Sequence, residues 1–215
     1  DAFKLKIIGY VTLVISYVGN IFYPGSILLN IVGSMNITIF VFLAVEGYRN
    51  THNLTKYILR LFIFTFISAI PYYMIYTKPF NSVLSILFCV GTLAFIDRIK
   101  NDMLKFVTAA SFVILSTLLQ LEWAPFPVIL AILFFIYREK FYMLSFYTIA
   151  LFTILFFVTL FFGQIQEIKG IYMIGCILPL PIIQLYNGKK GHNIKWISYA
   201  IYPAMLFIIT AFKLS

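Results

Sequence analysis

Long apolar runs separated by short polar turns follow one another along the whole chain. A helix needs about 20 residues to cross roughly 30 Å of hydrocarbon, and nine runs approach that length. They cover residues 5–22, 27–48, 57–76, 82–96, 103–121, 124–137, 141–163, 170–186 and 196–214. The fourth and sixth runs are short, which gives a range of seven to nine spans. The pattern predicts an all-α, polytopic transmembrane helical bundle, with residues 1–215 as a single integral membrane domain.

The basic residues predict how this bundle is oriented. Cytoplasmic loops of membrane proteins are enriched in Lys and Arg, and nine alternating spans place most of the 16 basic residues on one side. These are Lys4, Lys6, Arg49, Lys56, Arg60, Arg98, Lys100, Lys105, Arg138, Lys140, Lys189, Lys190 and Lys195. Only Lys78, Lys169 and Lys213 fall on the other side. We therefore expect a cytoplasmic N-terminus and an external C-terminus.

Composition supports membrane embedding and excludes several classes of function. Hydrophobic residues make up 62% of the chain, charged residues 11%, and the mean hydropathy is +0.99, which ordinary soluble domains do not reach. The net charge of +9 is dispersed between apolar runs, so the lipid bilayer, and not nucleic acid, is the expected partner. Cys89 and Cys176 lie inside apolar runs, which predicts buried thiols and neither a disulfide framework nor a metal site.

A first basic turn joins the second and third predicted spans. Glu46 and Arg49 stand three residues apart, and Lys56 and Arg60 stand four apart, so each pair shares a helix face. Arginine suits phosphate because its planar fork binds two oxygens at once. Two interpretations stay open for this turn: a cytoplasmic anion pocket, or simple anchoring by positive charge at the membrane surface.

A second basic turn has the sequence LYNGKKGHN, at residues 185–193. Asn187 and Gly188 favour the left-handed conformation that ends a helix, and Gly191 adds a second flexible joint. Backbone amides together with Lys189 and Lys190 could hold the phosphates of a nucleotide-like cofactor. A loop that only fixes the topology is the alternative.

The predicted spans contain hydroxyl and amide side chains but no Asp, Glu, Lys, Arg or His near the middle of the membrane. Ion-coupled transporters ordinarily need such groups for their relays. Enzymes that move protons need a general base, and the spans offer no evident one. The pattern therefore disfavours ion-coupled transport and leaves a catalytic base unidentified.

Several segments resemble the TraX family, named for the F-pilin N-acetylation protein. EGYRNTHN followed by KYILRL, and PLPIIQLYNGKKG followed by YAIYPAMLF, are the most specific, and the similarity covers essentially the whole chain. The resemblance implies an acyltransferase of the bacterial cytoplasmic membrane that uses acetyl-CoA or another acyl-CoA, bound from the cytoplasmic side. It assigns coenzyme binding to residues of both basic turns. These are Arg49, Lys56 and Arg60 at the first turn, and Asn187, Lys189 and Lys190 at the second.

The chain departs from the family pattern at the reactive positions. Ser16 and Tyr17 stand where the family carries an Asp-His pair, Ser34 stands where an Arg follows a Gly, and Met205 stands near a family His. None of these replacements accepts a proton at neutral pH, so the catalytic residues stay unassigned and weak or lost activity is expected. The alternative is a non-catalytic accessory or regulatory subunit that contacts a membrane protein or peptide. A channel for a neutral solute is a third possibility.

Overall fold

A computed structural model describes residues 1–78, 80–162, 167–192 and 195–214. The described residues form α-helices and no β-strand, which confirms the predicted all-α class. Ten helices lie in these ranges: α1 (Ala2–Phe22), α2 (Ile27–Arg49), α3 (Leu54–Tyr76), α4 (Ser82–Ile96), α5 (Asp102–Leu118), α6 (Phe126–Tyr137), α7 (Phe141–Phe162), α8 (Glu167–Ile177), α9 (Leu180–Gln184) and α10 (Lys195–Leu214).

The helices follow the predicted spans closely, with one division. The predicted span 170–186 consists of α8 and α9, because Pro179 and Pro181 lack the N–H groups that would continue the helix. The fifth helix ends at Leu118, earlier than predicted, and Gln120 beyond it is left-handed, with φ of 51°. Residue 163, the predicted end of the seventh span, lies outside the described residues.

Three helices, α1, α2 and α3, are long and apolar enough to cross a membrane by length and composition. Among the described residues, shorter apolar helical segments occupy Ser82–Ile96, Phe126–Tyr137, Phe141–Phe157, Tyr172–Gln184 and Ile197–Lys213. The chain is therefore a helical membrane protein. The count of nine crossings and the cytoplasmic N-terminus stay predictions.

The chain divides into two compact units. Unit 1 comprises Asp1–Leu43 and Ile136–Asn193, and unit 2 comprises Ala44–Phe135 and Ile194–Ser215. Each unit contains one of the two cysteines, Cys176 in unit 1 and Cys89 in unit 2, and both thiols are buried and free, as the sequence predicts. The sequence predicts that residues 1–215 form a single domain. Whether the two units form one domain stays a prediction.

Small residues let the helices of unit 1 approach closely. A Cβ atom at Gly33 of α2 would lie 2.5 Å from the Cα atom of Ser16 in α1. A Cβ atom at Gly175 of α8 would overlap the carbonyl oxygen of Ile31 in α2. Helices in lipid associate through such close packing and through hydrogen bonds, because lipid tails provide no hydrophobic driving force between them.

Unit 2 is built around α3, which packs against α4 and α10. Its buried apolar centre near one end contains Ala44, Tyr57, Leu61 and Val90. At the other end, the Oγ1 atom of Thr210 in α10 lies 3.4 Å from the carbonyl oxygen of Pro71 in α3. These contacts hold both ends of α3, and the candidate functional groups of unit 2 lie at these two ends.

Candidate functional site

The α2–α3 turn lies entirely in unit 2 and presents the basic residues that the sequence singles out. Arg49 ends α2 and Lys56 lies in the first turn of α3, and both side chains are exposed. The side chain of Asn53 begins α3 by accepting the N–H of Lys56 at 2.9 Å. A Cβ atom at Gly47 would meet the Tyr57 hydroxyl at 2.8 Å, so the two helices pack tightly beside the turn.

Arg60 is the most enclosed basic residue of this end of unit 2. Its guanidinium carbon lies 6.0 Å from the ring centroid of Tyr57 and 5.7 Å from that of Tyr199. Its Nε atom is buried, and no hydrogen-bond acceptor for it exists among the residues that the structure describes. Cation–π contacts fix the position of the guanidinium, while one of its donors stays unsatisfied. Such a donor is suited to an anionic ligand.

The second basic turn lies in unit 1 and has the conformation that its sequence predicts. Gly188 has φ of 73° and Gly191 has φ of 66°, both in the left-handed region. The Asn187 Oδ1 atom accepts the N–H of Lys189 at 3.1 Å. Lys189 and Lys190 are exposed. Asn193, the last residue of the quoted turn, lies outside the described residues.

This turn contacts the start of α1 within unit 1. The N–H of Ala2 donates to the carbonyl oxygen of Lys189 at 2.9 Å, which ties the turn to the start of α1. A Cβ atom at Gly191 would lie 2.8 Å from the Cβ atom of Phe3, and the rings of Phe3 and His192 are in edge contact at 5.2 Å. Packing against α1 therefore leaves no space for a larger residue at Gly191, while the side chains of Lys189 and Lys190 are exposed.

The four positions that the sequence analysis assigns to the reactive centre are buried in this chain. Ser16, Tyr17 and Ser34 lie in unit 1, at 8%, 3% and 1% exposure, and Met205 lies in unit 2 at 8%. The Oγ atom of Ser34 lies 2.6 Å from the carbonyl oxygen of Tyr172 in α8 and 2.9 Å from that of Ile31. The Ser34 hydroxyl of α2 is therefore placed to donate a hydrogen bond to α8.

A partly buried carboxyl group in unit 2 was not singled out by the sequence. Glu122 lies in the turn between α5 and α6, and its carboxylate accepts the Ser82 hydroxyl through a short hydrogen bond. It also accepts the Ser82 backbone N–H and the Tyr72 hydroxyl. The Tyr202 hydroxyl lies 3.4 Å from the Ser82 Oγ atom. Hydroxyl groups from α3, α4 and α10 therefore converge around one carboxyl group.

The carboxyl group of Glu122 has a pKa near neutrality. Burial removes it from water and raises its pKa from 4.5 to about 7. The hydrogen bonds from Ser82 and Tyr72 and the charge of Lys78 lower the pKa, and they offset only part of the desolvation. One weak signal in the sequence could have pointed to Glu122. The chain has only 7 acidic residues, and this one stands between two apolar runs.

We expect Asn81 and Asn53, two of the asparagine N-caps of unit 2, to differ in their contribution to stability. Asn81 is fully buried, caps α4 beside Glu122, and its Nδ2 atom donates to the Thr65 carbonyl oxygen at 2.9 Å. Asn53 is an exposed cap of α3. Asn53→Ala should cost about 1 kcal/mol, a typical loss for a cap, whereas Asn81→Ala should cost about 2–3 kcal/mol because a buried hydrogen bond is lost as well.

Thermal unfolding of both variants in detergent measures this difference, and the exposed cap serves as the matched control. Equal losses for the two variants would mean that the hydrogen bond between Asn81 and Thr65 contributes nothing beyond the cap.

Comparison with known proteins identifies a family. A family model described as TraX protein matches residues 2–213, nearly the whole chain. No protein of curated function and no solved structure shows significant similarity to the chain.

Proposed function

The chain belongs to the TraX family, and from this membership we infer that it is a membrane acyltransferase. We propose that it binds acetyl-CoA or another acyl-CoA through its basic turns and passes the acyl group to an acceptor amine or hydroxyl at the membrane. The bacterial cytoplasmic membrane is the location that this proposal requires, with the coenzyme entering from the cytoplasmic side that the charge asymmetry predicts.

Arg60 is the observation that carries the proposal. Its guanidinium is fixed between two tyrosine rings, and its buried Nε donor lacks an acceptor among the described residues. An unsatisfied donor is costly, and a phosphate oxygen would satisfy it with a charge-assisted hydrogen bond. Arg49 and Lys56 supply further positive charge at the same end of unit 2. Coenzyme A has several phosphates for such contacts.

The turn in unit 1 is a second phosphate-binding candidate. The Asn187 side chain accepts the N–H of Lys189, a contact that favours the turn conformation without a ligand. Ordering in advance reduces the entropy lost on binding. Lys189 and Lys190 provide ammonium groups, which bind phosphate as point charges and so depend less on ligand geometry than a guanidinium does.

Glu122 is the described residue best suited to take a proton from the acceptor. A pKa of about 7 is close to that of an effective general base at neutral pH, and the family's Asp-His pair is replaced here by Ser16 and Tyr17. Tyr72, which donates to Glu122, is twelve residues from Arg60 along α3, or about 18 Å of helix rise. The proposal therefore requires an acyl donor that extends along unit 2.

Acetyl-CoA binding by the purified protein tests the role of Arg60. We expect acetyl-CoA to raise the melting temperature of the wild type, and Arg60→Ala to weaken binding by about tenfold or more, the effect of losing a charged hydrogen bond. Arg60→Lys should lose part of the affinity because it lacks the planar fork. Arg98→Ala, at an exposed arginine of unit 2, is the control and should bind as the wild type does. A wild-type protein without any coenzyme-dependent shift would contradict the proposal.

Glu122→Gln separates binding from chemistry. The variant should bind acetyl-CoA normally, while acyl transfer to a small amine falls by about 10²–10⁴-fold, the typical contribution of a general base. Transfer at the wild-type rate would exclude Glu122 as the base but would leave the coenzyme site intact.

A second candidate is a non-catalytic accessory subunit of a membrane protein complex. It is favoured by the position of Ser34, whose hydroxyl lies within hydrogen-bond distance of the Tyr172 carbonyl and is buried between helices of unit 1. A group in this position supports packing and does not face a substrate. If the protein binds no coenzyme and co-purifies from native membranes with one stable partner, this second function replaces the first.

A further inference from the structure

The turn that carries Glu122 has a backbone conformation that its sequence does not favour. The N–H of Ala124 donates to the carbonyl oxygen of Leu121 at 3.0 Å, which closes a β-turn with Glu122 and Trp123 at its centre. Trp123 has φ of 63°. A positive φ at this third position is characteristic of a type II turn, where glycine or asparagine is preferred. A tryptophan is unfavourable there, so contacts from outside the turn must hold this conformation.

Ser85 of α4 makes such a contact. Its side chain is only 5% exposed, and its hydroxyl donates to the main-chain carbonyl oxygen of Glu122 at 3.0 Å. This carbonyl belongs to the central peptide of the turn. Type I and type II turns differ in the dihedral angles on both sides of that peptide, and therefore in the direction of its carbonyl group. The Ser85 hydroxyl thus favours the observed orientation over the type I turn, in which Trp123 would have a negative φ.

The start of α4 is itself fixed, so it can hold the turn in place. The Asn81 side chain caps α4 and donates to the Thr65 carbonyl oxygen of α3 at 2.9 Å. Ser82 and Ser85 are three residues apart and share one face of α4. The Ser82 hydroxyl donates to the Glu122 carboxylate, and the Ser85 hydroxyl donates to the Glu122 main chain. One helix therefore holds both the side chain and the backbone of the same residue.

We propose that Ser85 is a positioning residue for Glu122, an inference that rests on the proposed function of Glu122 as the base in acyl transfer. The Ser85 hydroxyl fixes the central peptide of the turn, and this peptide sets where the Glu122 carboxyl group lies. Ser85 takes no proton and acts only through the turn. Without its hydroxyl the turn relaxes, Trp123 leaves its unfavourable φ, and the carboxyl group is displaced from the Ser82 hydroxyl.

Kinetics of the purified full chain, with acetyl-CoA and a small amine, test this role. Ser85→Ala should lower kcat by about tenfold to a hundredfold, as expected for a displaced reacting group. The KM for acetyl-CoA should not change, because the surroundings of Arg60 are unaltered. Ser85→Thr keeps the hydroxyl and should retain most of the rate. Ser111→Ala is the matched control, since Ser111 is exposed on α5 and its hydroxyl donates to the Val107 carbonyl oxygen of the same helix at 2.8 Å.

Tryptophan fluorescence tests the turn without any coenzyme. The chain has 2 tryptophans, so Trp196→Phe leaves only Trp123, the third residue of the turn, as the reporter. In this background Ser85→Ala should shift the emission maximum of Trp123, whereas Ser111→Ala should not. Thermal melts show whether each variant is folded. An emission maximum that Ser85→Ala leaves unchanged would overturn the inference.

A double-mutant cycle separates positioning from a general structural role. Glycine adopts a positive φ without strain, so Trp123→Gly keeps the turn without help from Ser85. Ser85→Ala should therefore lower kcat much less in the Trp123→Gly background than in the wild type. Equal losses in the two backgrounds would mean that Ser85 does not act through the turn.

The kinetic results distinguish a failure of this inference from a failure of the proposed function. If the wild type transfers acyl groups and Ser85→Ala has the same kcat, Ser85 is not a positioning residue and the proposed function stands. If the wild type transfers none, the proposed function is contradicted, and a role for Ser85 in that reaction is excluded with it.

Discussion

Gly175→Ala is expected to destabilise unit 1 strongly, because its new methyl group has no space. A Cβ atom at Gly175 would overlap both the carbonyl oxygen of Ile31 and the Oγ atom of Ser34. The carbonyl belongs to helix backbone and cannot turn away, so α8 must move off α2. That movement would also break the contacts of Ser34 with the Tyr172 carbonyl and of Thr38 with the Cys176 carbonyl, each 2.6 Å long.

Overpacking a well-packed site costs about 1–3 kcal/mol and occasionally more, and we expect the upper end of that range or beyond here. Thermal unfolding in detergent measures the loss. The matched control is Gly91→Ala in α4, where a Cβ atom would meet no atom within 4 Å. That change should be neutral, or stabilising by about 0.5–1 kcal/mol, because alanine favours the helix. Similar melting temperatures for the Gly175 variant and wild type would contradict the close contact between α2 and α8.

The stability of unit 2 is expected to fall as the pH rises through neutrality, because of Glu122. Burial raises the pKa of this carboxyl group to about 7, above its ordinary value of 4.5. The folded protein therefore holds the proton more tightly than the unfolded chain does. The stabilisation is fully present below about pH 4.5 and is lost as the pH rises through about 7. At about 1.36 kcal/mol per pKa unit, the loss approaches about 3 kcal/mol.

Glu122→Gln should remove this pH dependence, since glutamine resembles the protonated acid and can still accept the Ser82 hydroxyl. The variant should match the wild type near pH 5 and exceed its melting temperature at pH 8. Asp102→Asn is the control: this carboxyl group is 98% exposed and pairs only loosely with Lys105 at 3.7 Å, so the wild-type pH profile should persist. A Glu122→Gln variant that keeps the wild-type profile would show that another group is responsible.

The stability and the acyl-transfer rate of the Glu122→Gln variant also check each other. A variant with higher stability at pH 8 but slower acyl transfer has lost chemistry and not structure. This combination would support both the proposed base and the raised pKa of Glu122, whereas slower transfer together with lower stability would support neither.

Much of the fold follows from patterns that are local in the sequence. An apolar run of about 20 residues has few alternatives to a helix in lipid, since every backbone polar group must be satisfied internally. This is why the predicted runs coincide with the helices, and why the left-handed conformation at Gly188 could be predicted from turn chemistry alone. The division between α8 and α9 also follows from local chemistry, although the sequence-based prediction kept them as one span.

The candidate sites depended on contacts between distant residues. Arg60 was predicted as a phosphate ligand from its position near a basic turn, but its fixed geometry comes from Tyr199, far along the chain. Glu122 was missed, since a carboxyl group in a turn is ordinarily solvated and only the hydroxyl groups around it remove it from water.

The sequence by itself determined that this is a helical membrane protein of the TraX family, because hydropathy, helix length and family motifs are properties of contiguous segments. Only the tertiary structure decided which of its polar groups are buried, fixed or left without an acceptor. Burial and hydrogen bonding depend on neighbours from other helices, and these neighbours set the pKa of Glu122 and the orientation of Arg60.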